Sequence, residues 1–331
     1  IARQVESPPS RLLATIENNL GATLLYAGQH QEAMVFMNDA LNNWRGLGQE
    51  NSSSAITIMT NLASLLHQQG ELDRAEALYR EAIDRRLQRF GESGALGAAY
   101  LNLGTLLTQR YQLDSAGEHV QQGVDLIVRF EGENTVNQAR GLLVRSRWYQ
   151  AAGEYQAAHA DITNAIDMFE QTLGAEHLFS RVAQTQQALL LAHAAQHDYD
   201  QLQQLSALPV REQLQAVIAQ LSALQPQSNR FLAQAQCAKA RYELTQANPQ
   251  RALELAVHCV ELRTALTADS SWELADAQAI AAAARLQLGM AQAEDQLQQA
   301  RQRLLTTLGV KHPKVVWCDR WLRAGEAEVQ S

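Results

Sequence analysis

An all-α chain is what the sequence predicts, and three observations carry that prediction. Ala, Leu, Gln, Glu and Arg dominate, and these are helix formers. Only 6 of the 331 residues are proline, and none falls between Ser10 and Leu208. Strands and long loops over that stretch would demand more Val, Ile, Thr and turn residues. A segment pattern also recurs at a near-constant period, the sequence mark of stacked helical units.

The first unit reads Asn19-Leu20-Gly21, then Gly28, Ala33 and Ala40. The second repeats it as Asn61-Leu62-Ala63, Gly70, Ala75 and Ala82, a shift of 42 residues. The third, shifted by 41, is Asn102-Leu103-Gly104, Tyr111, Ala116 and Gly123. The fourth is Val144-Arg145-Ser146, Gly153, Ala158 and Ala165, shifted by 42. Small residues at Gly21, Ala63, Gly104 and Ser146, and again at Ala33, Ala75, Ala116 and Ala158, let two antiparallel helices approach closely. Gly28, Gly70 and Gly153 end the first helix of a pair in a left-handed conformation. Gly48, Gly91, Gly174 and Gly309 end the second.

Between Gly153 and Ala247 about ten residues exceed two 42-residue steps. They fall between Leu202 and Gln227, where Leu214, Val217, Ile218, Leu221 and Leu224 form the stripe of an amphipathic helix. Pro209, Pro249 and Pro313 stand where helices open. Ser270 with Glu273 reads as a capping box, and Ala247 and Gly289 resume the turn position. A last helix, from about His312 to Glu328, closes the array as the polar cap that stacked repeats need. Three segments follow: regular repeats 1–4 over 10–175, an irregular repeat with a helical insertion over 176–227, and two more repeats plus the cap over 228–329.

The formal net charge of −8 opposes a duplex-binding role, which needs a basic face. No window approaches 18 uncharged apolar residues, so a membrane span is not expected. Cys237, Cys259 and Cys318 are odd in number and widely spaced; they read as reduced, small hydrophobes in a reducing, cytoplasmic setting. The start at Ile1 reads as a trimmed or processed form. No phosphate loop, nucleophile elbow or dinucleotide fingerprint is present, and the glycines around Gly91-Glu92-Ser93-Gly94 and Gly97 fall at a helix junction. His193 and His197 are one turn apart but lack a third ligand, so a solvated helix face is the preferred reading. The sequence therefore predicts no cofactor, no metal and no enzymatic activity.

The repeat resembles the tetratricopeptide repeat in its 42-residue form, as in kinesin light chain and many bacterial proteins. The run from Thr60 to Ile83 carries the resemblance most fully. Leu308-Gly309-Val310-Lys311-His312-Pro313 matches the linker of that form, and Leu173-Gly174-Ala175-Glu176-His177 matches it in part. The resemblance implies a right-handed superhelical solenoid of about seven hairpins plus a capping helix. It also implies a concave surface, lined by the first helix of each pair, that holds an extended peptide or short helix of a partner.

By that resemblance Asn19, Asn61 and Asn102 face the groove, where an amide both donates to and accepts from a peptide backbone. Ser64, Thr105 and Arg147 follow one turn later, then His67. A tolerated polar residue that satisfies inter-repeat groups is the competing account of each asparagine. The fourth repeat departs from the pattern: Val144 replaces the asparagine and Arg145 the packing leucine. Residues 135–152 nevertheless hold Arg140, Arg145 and Arg147 and no acid. Arg140 and Arg147 share a face and could clamp a carboxylate or phosphate, or they could pair with Glu131, Glu133 or Asp161. A second acid-free stretch, 213–242, holds Arg230, Lys239 and Arg241, of which Arg241 fits the groove better.

The leading expectation is a non-catalytic scaffold for a protein or peptide with acidic groups. The alternative is a sensory or oligomerisation module of a larger bacterial signalling protein. Homo-oligomerisation through the helix at 210–224 or an exposed terminal repeat is a further class.

Overall fold

The computed structural model describes residues 8–26, 29–195, 209–223, 229–267 and 271–329. These hold fifteen helices and no strand. They stack as seven antiparallel pairs and a final helix. The first four pairs are α1 (Arg11–Tyr26) with α2 (His30–Gly46), α3 (Ser53–Gln68) with α4 (Leu72–Phe90), α5 (Gly94–Gln109) with α6 (Leu113–Glu131), and α7 (Val136–Ala152) with α8 (Tyr155–Leu173). Then come α9 (Leu178–Ala195) and α10 (Val210–Ala223), α11 (Asn229–Thr245) and α12 (Pro249–Leu266), α13 (Trp272–Gln287) and α14 (Ala293–Leu308), and the terminal α15 (Pro313–Val329).

One rule of capping runs along the array. The first helix of most pairs opens on a side chain that accepts a backbone N–H from its own first turn. Ser52 accepts from Ala55, Ser93 from Leu96 and Thr135 from Gln138. Imidazoles do the same at His177 and His312, whose Nδ1 atoms accept from Phe179 and Lys314 at 3.2 Å. Such caps satisfy donors that the helix leaves orphaned. For α13 the capping residue is Ser271, which accepts from Glu273 N, and not the expected Ser270, which lies outside the described residues. The turn inside each pair works differently: one left-handed residue reverses the chain, Gly70 at φ 84° and Gly153 at φ 83°. Tyr111 (φ 60°) and Ala247 (φ 54°) take the same shape despite carrying a Cβ, at about 1 kcal/mol. Gly28 lies outside the described residues.

Close helix approach is visible atom by atom. A Cβ on Gly21 would lie 3.2 Å from Ala33 O, and one on Gly104 2.5 Å from Val120 Cγ2. Ala33, Ala75, Ala116 and Ala158 are fully buried. The apolar stripe of α10 is buried through Leu214, Val217, Ile218 and Leu221, with the helix lying against α9 and α11. That stripe is consumed inside the stack and is not a free surface for self-association; Leu224 lies outside the described residues.

The cysteine expectation is overturned. Cys237 on α11 and Cys259 on α12 form a disulfide with a Cα–Cα distance of 5.6 Å, while Cys318 is free and buried. Antiparallel helices at this spacing bring together two residues that the sequence separates by 22, and the argument for a reducing compartment falls with it.

The stack curls far enough to meet itself. Leu72, at the tip of the second pair, packs in one cluster with Ala275, Leu297, Val315 and Cys318. The Tyr111 and His312 rings meet edge on with centroids 6.2 Å apart. The His312 ring also bonds to the backbone of Gln109. The late repeats therefore close over the tips of the second and third.

Candidate functional site

The groove positions are set by the first helices. Asn61 and Asn102 sit half-buried on α3 and α5, and neither side chain has a hydrogen-bond partner among the described residues. Asn19 lies exposed on α1. Ser64 bonds with the Tyr79 hydroxyl, whose pKa burial pushes up to about 12. Thr105 donates to the Leu101 carbonyl at 2.8 Å, leaving its lone pairs open. His67 Nε2 lies 2.6 Å from Gln109 Oε1, its counterpart one repeat on. The neutral ring donates there, and burial lowers its pKa.

The basic segment of α7 divides into one structural and two free arginines. Arg145 donates to both Asp161 carboxylate oxygens, Nε at 2.7 Å and Nη2 at 2.8 Å, and further to Gln121. It occupies the place of Leu62 and Leu103, so an ion pair with α8 replaces an apolar contact. Asp161 is thereby spent. Arg140 and Arg147 remain exposed and pair with no acid among the described residues.

Arg147 is open to water and yet surrounded by protein, which places it in the hollow of the curled stack. Desolvation and then the like charge of Arg230 press its pKa down to about 10. Arg230, from α11, also acts on His67, as does Glu273 from α13. Arg263 lies 3.2 Å from Glu273, which Arg230 approaches at 3.8 Å. Beyond them Asp276 pairs with Arg241 and with Lys314, at 2.6 Å from the lysine. Burial alone would raise the Asp276 carboxyl, but the two cations outweigh it and hold it below its usual range. Arg241 stacks over Trp317 at 4.3 Å and Lys314 lies over Trp272 at 5.4 Å. Five cations and two acids are thus coupled in one cluster, inside a chain whose net charge is −8.

Arg241 stands apart from the other expected groove residues, because its guanidinium is committed to Asp276 and Trp317. Lys239 turns away from the cluster and donates to Gln215 on α10. Arg230, Glu273, Asp276 and Lys314 were not expected in the groove: Arg230 was noted only within an acid-free stretch and Glu273 only in a capping box. They lie far from Arg147 along the chain, and only the curl of the stack unites them. The acid-free stretch containing Arg230 was the one signal available. The side chains of His193 and His197 lie outside the described residues. No described helix is long and apolar enough to cross a membrane.

Tetratricopeptide-repeat family profiles match residues 11–88 and 142–178. No curated protein matches the chain. Among solved structures, BtubC (BKLC) from P. vanneervenii superposes with a TM-score of 0.51 at 15% identity, covering 72% of this chain and 92% of that one. A kinesin-light-chain protein of nearly identical TPR-like repeats from Podosopora anserina gives 0.49 at 19%, covering 67% and 99%. A tetratricopeptide repeat protein from Parabacteroides merdae ATCC 43184 gives 0.47 at 13%, covering 95% and 99%. The chain thus carries tetratricopeptide repeats over two segments, and the same helical hairpin continues to α15 in an all-α solenoid, a fold that in general supports protein–protein interaction.

Proposed function

We propose that this chain is a non-catalytic scaffold that holds an acidic, extended segment of a partner protein along the first helices, over Asn61, Asn102, Arg140 and Arg147. One observation carries the reading. Arg145 takes both oxygens of Asp161 and leaves Arg140 and Arg147 without an acid among the described residues, on one face of α7. Guanidinium forks kept free in this way suit bidentate capture of carboxylates. The unpartnered amides of Asn61 and Asn102 suit backbone capture.

The test is fluorescence anisotropy with labelled extended peptides rich in Asp and Glu, against neutral and Lys-rich controls. The acidic peptides bind preferentially, and the Arg140→Glu, Arg147→Glu double variant loses at least tenfold in affinity. Equal affinity of that variant, or equal binding of the controls, overturns the reading.

A further inference from the structure

A second charged position lacks the partner its twin possesses. In the second helix of each pair, four residues after Ala40, Ala82, Gly123 and Ala165, stand Trp44, Arg86, Ile127 and Phe169. The corresponding residue of α12 is Arg263. All five are buried, so this is a core position, and in two pairs it carries a guanidinium.

The two arginines differ in what surrounds them. Arg263 is framed by Arg230, Glu273 and Asp276, with Glu273 at 3.2 Å. Counting from the caps and turns, the matching positions around Arg86 are Ser53 for Arg230, Ala95 for Glu273 and Ala98 for Asp276. Every charged neighbour has become a small residue. Arg86 is 8% exposed; among the described residues its Nε has no hydrogen-bond partner, and its one bond runs from Nη2 to the Thr57 hydroxyl at 3.3 Å. Its pKa is lowered by burial, with no acid opposing the shift. Ser53, Thr57, Ala95 and Ala98 are all exposed, so the surface around the buried guanidinium is open to solvent. An unpaired buried charge is costly, and the cost falls when an anion reaches it.

We propose that this surface site binds a carboxylate, which takes beside Arg86 the place that Glu273 takes beside Arg263. The group bridges the buried guanidinium and the Ser53 hydroxyl, over the space that Ala95 leaves, while Thr57 keeps its proton on the Ser53 carbonyl. A free small carboxylate and the side chain of a glutamate offer the same chemistry. The site lies on the first helices α3 and α5, one turn before Asn61 and Asn102, and contains neither Arg140 nor Arg147.

The test follows the Arg86 Nε–Hε resonance by NMR during titration at constant ionic strength, with chloride as control. Acetate and N-acetyl-glutamate amide are the two probes, and the full chain is used. Saturable shifts with either carboxylate, absent with chloride, are expected; a response to one probe alone identifies the source. Installing the missing acid as Ala95→Glu should abolish the shift and raise the thermal midpoint by a few degrees. Arg147→Glu should leave the titration unchanged. If acetate and the glutamate amide shift nothing in the wild-type chain, the proposal falls. Shifts that persist in Ala95→Glu, or that vanish in Arg147→Glu, overturn it equally. The Arg86→Met variant gives a second check in thermal melts: a carboxylate-specific rise in midpoint should disappear with it.

Discussion

The His312 ring meets Tyr111 at 6.2 Å and joins the last inter-repeat loop to the tip of the third pair. Its Nδ1 accepts from Lys314 N at 3.2 Å and its other nitrogen donates to the Gln109 backbone, so the ring must be neutral. Burial, then the charge of Lys314, press its pKa to about 4, with Asp276 opposing and Arg241 adding to the shift. The folded pKa lies below the unfolded value. Stability from this contact is therefore complete above about pH 6.5 and is lost as pH falls towards 4. The full effect is on the order of 3 kcal/mol. In His312→Asn, which keeps a capping acceptor without the titration, the loss over that window flattens. Thermal melts against pH check the slope. Small-angle scattering checks that acid opens the curl of the wild-type chain.

Asp161 faces Arg145 at two bonds, and both are largely buried. Asp161→Ala strands the guanidinium and lowers stability by about 3 kcal/mol in urea unfolding. Replacing both residues by apolar ones recovers most of that loss, because the same position elsewhere in the array is Leu62 or Leu103.

Gly97 lies against the backbone of α6, where an added Cβ would sit 2.7 Å from Gly123 O. Backbone cannot swing aside as a side chain does. Gly97→Ala is expected to cost about 2 kcal/mol and to splay α5 from α6. Circular dichroism melts measure the cost.

The Cys237–Cys259 bridge closes a segment with a separation of 22 residues. Reduction, or the double change to alanine, should lower stability by about 3 kcal/mol. A midpoint insensitive to reductant would show that the bridge restrains nothing.

Asn61 and Asn102 make no side-chain hydrogen bond among the described residues. The double alanine variant should weaken acidic-peptide binding about tenfold and leave the thermal midpoint unchanged. A stability loss without a binding loss would mark them as packing residues.

Much of this was legible in the residues. The turns at Gly70 and Gly153, the small contacts at Gly21 and Gly104, the buried stripe of α10 and the near-42-residue step are local consequences of composition and period. Arg145 was legible only as a disturbance, a charge in a leucine's place. The acid that answers it, Asp161, sits on the antiparallel helix 16 residues away; the sequence offered that acid to Arg140 or Arg147, and only the rotation of the two helices assigns it to Arg145. The disulfide was read wrongly because an odd, scattered set of cysteines gives no hint of which helices lie side by side.

The sequence by itself determined the hairpin, its caps and its repetition, since each depends on contacts within one or two helical turns or between adjacent helices. Only the tertiary structure decided that the stack curls until Leu72, Tyr111 and His312 meet, that Arg147 looks across at Arg230, and that Arg241 is locked to Asp276. The physical reason is accumulation. Each pair turns slightly against the last, no single repeat encodes the sum, and the sum sets which distant charges share one hollow.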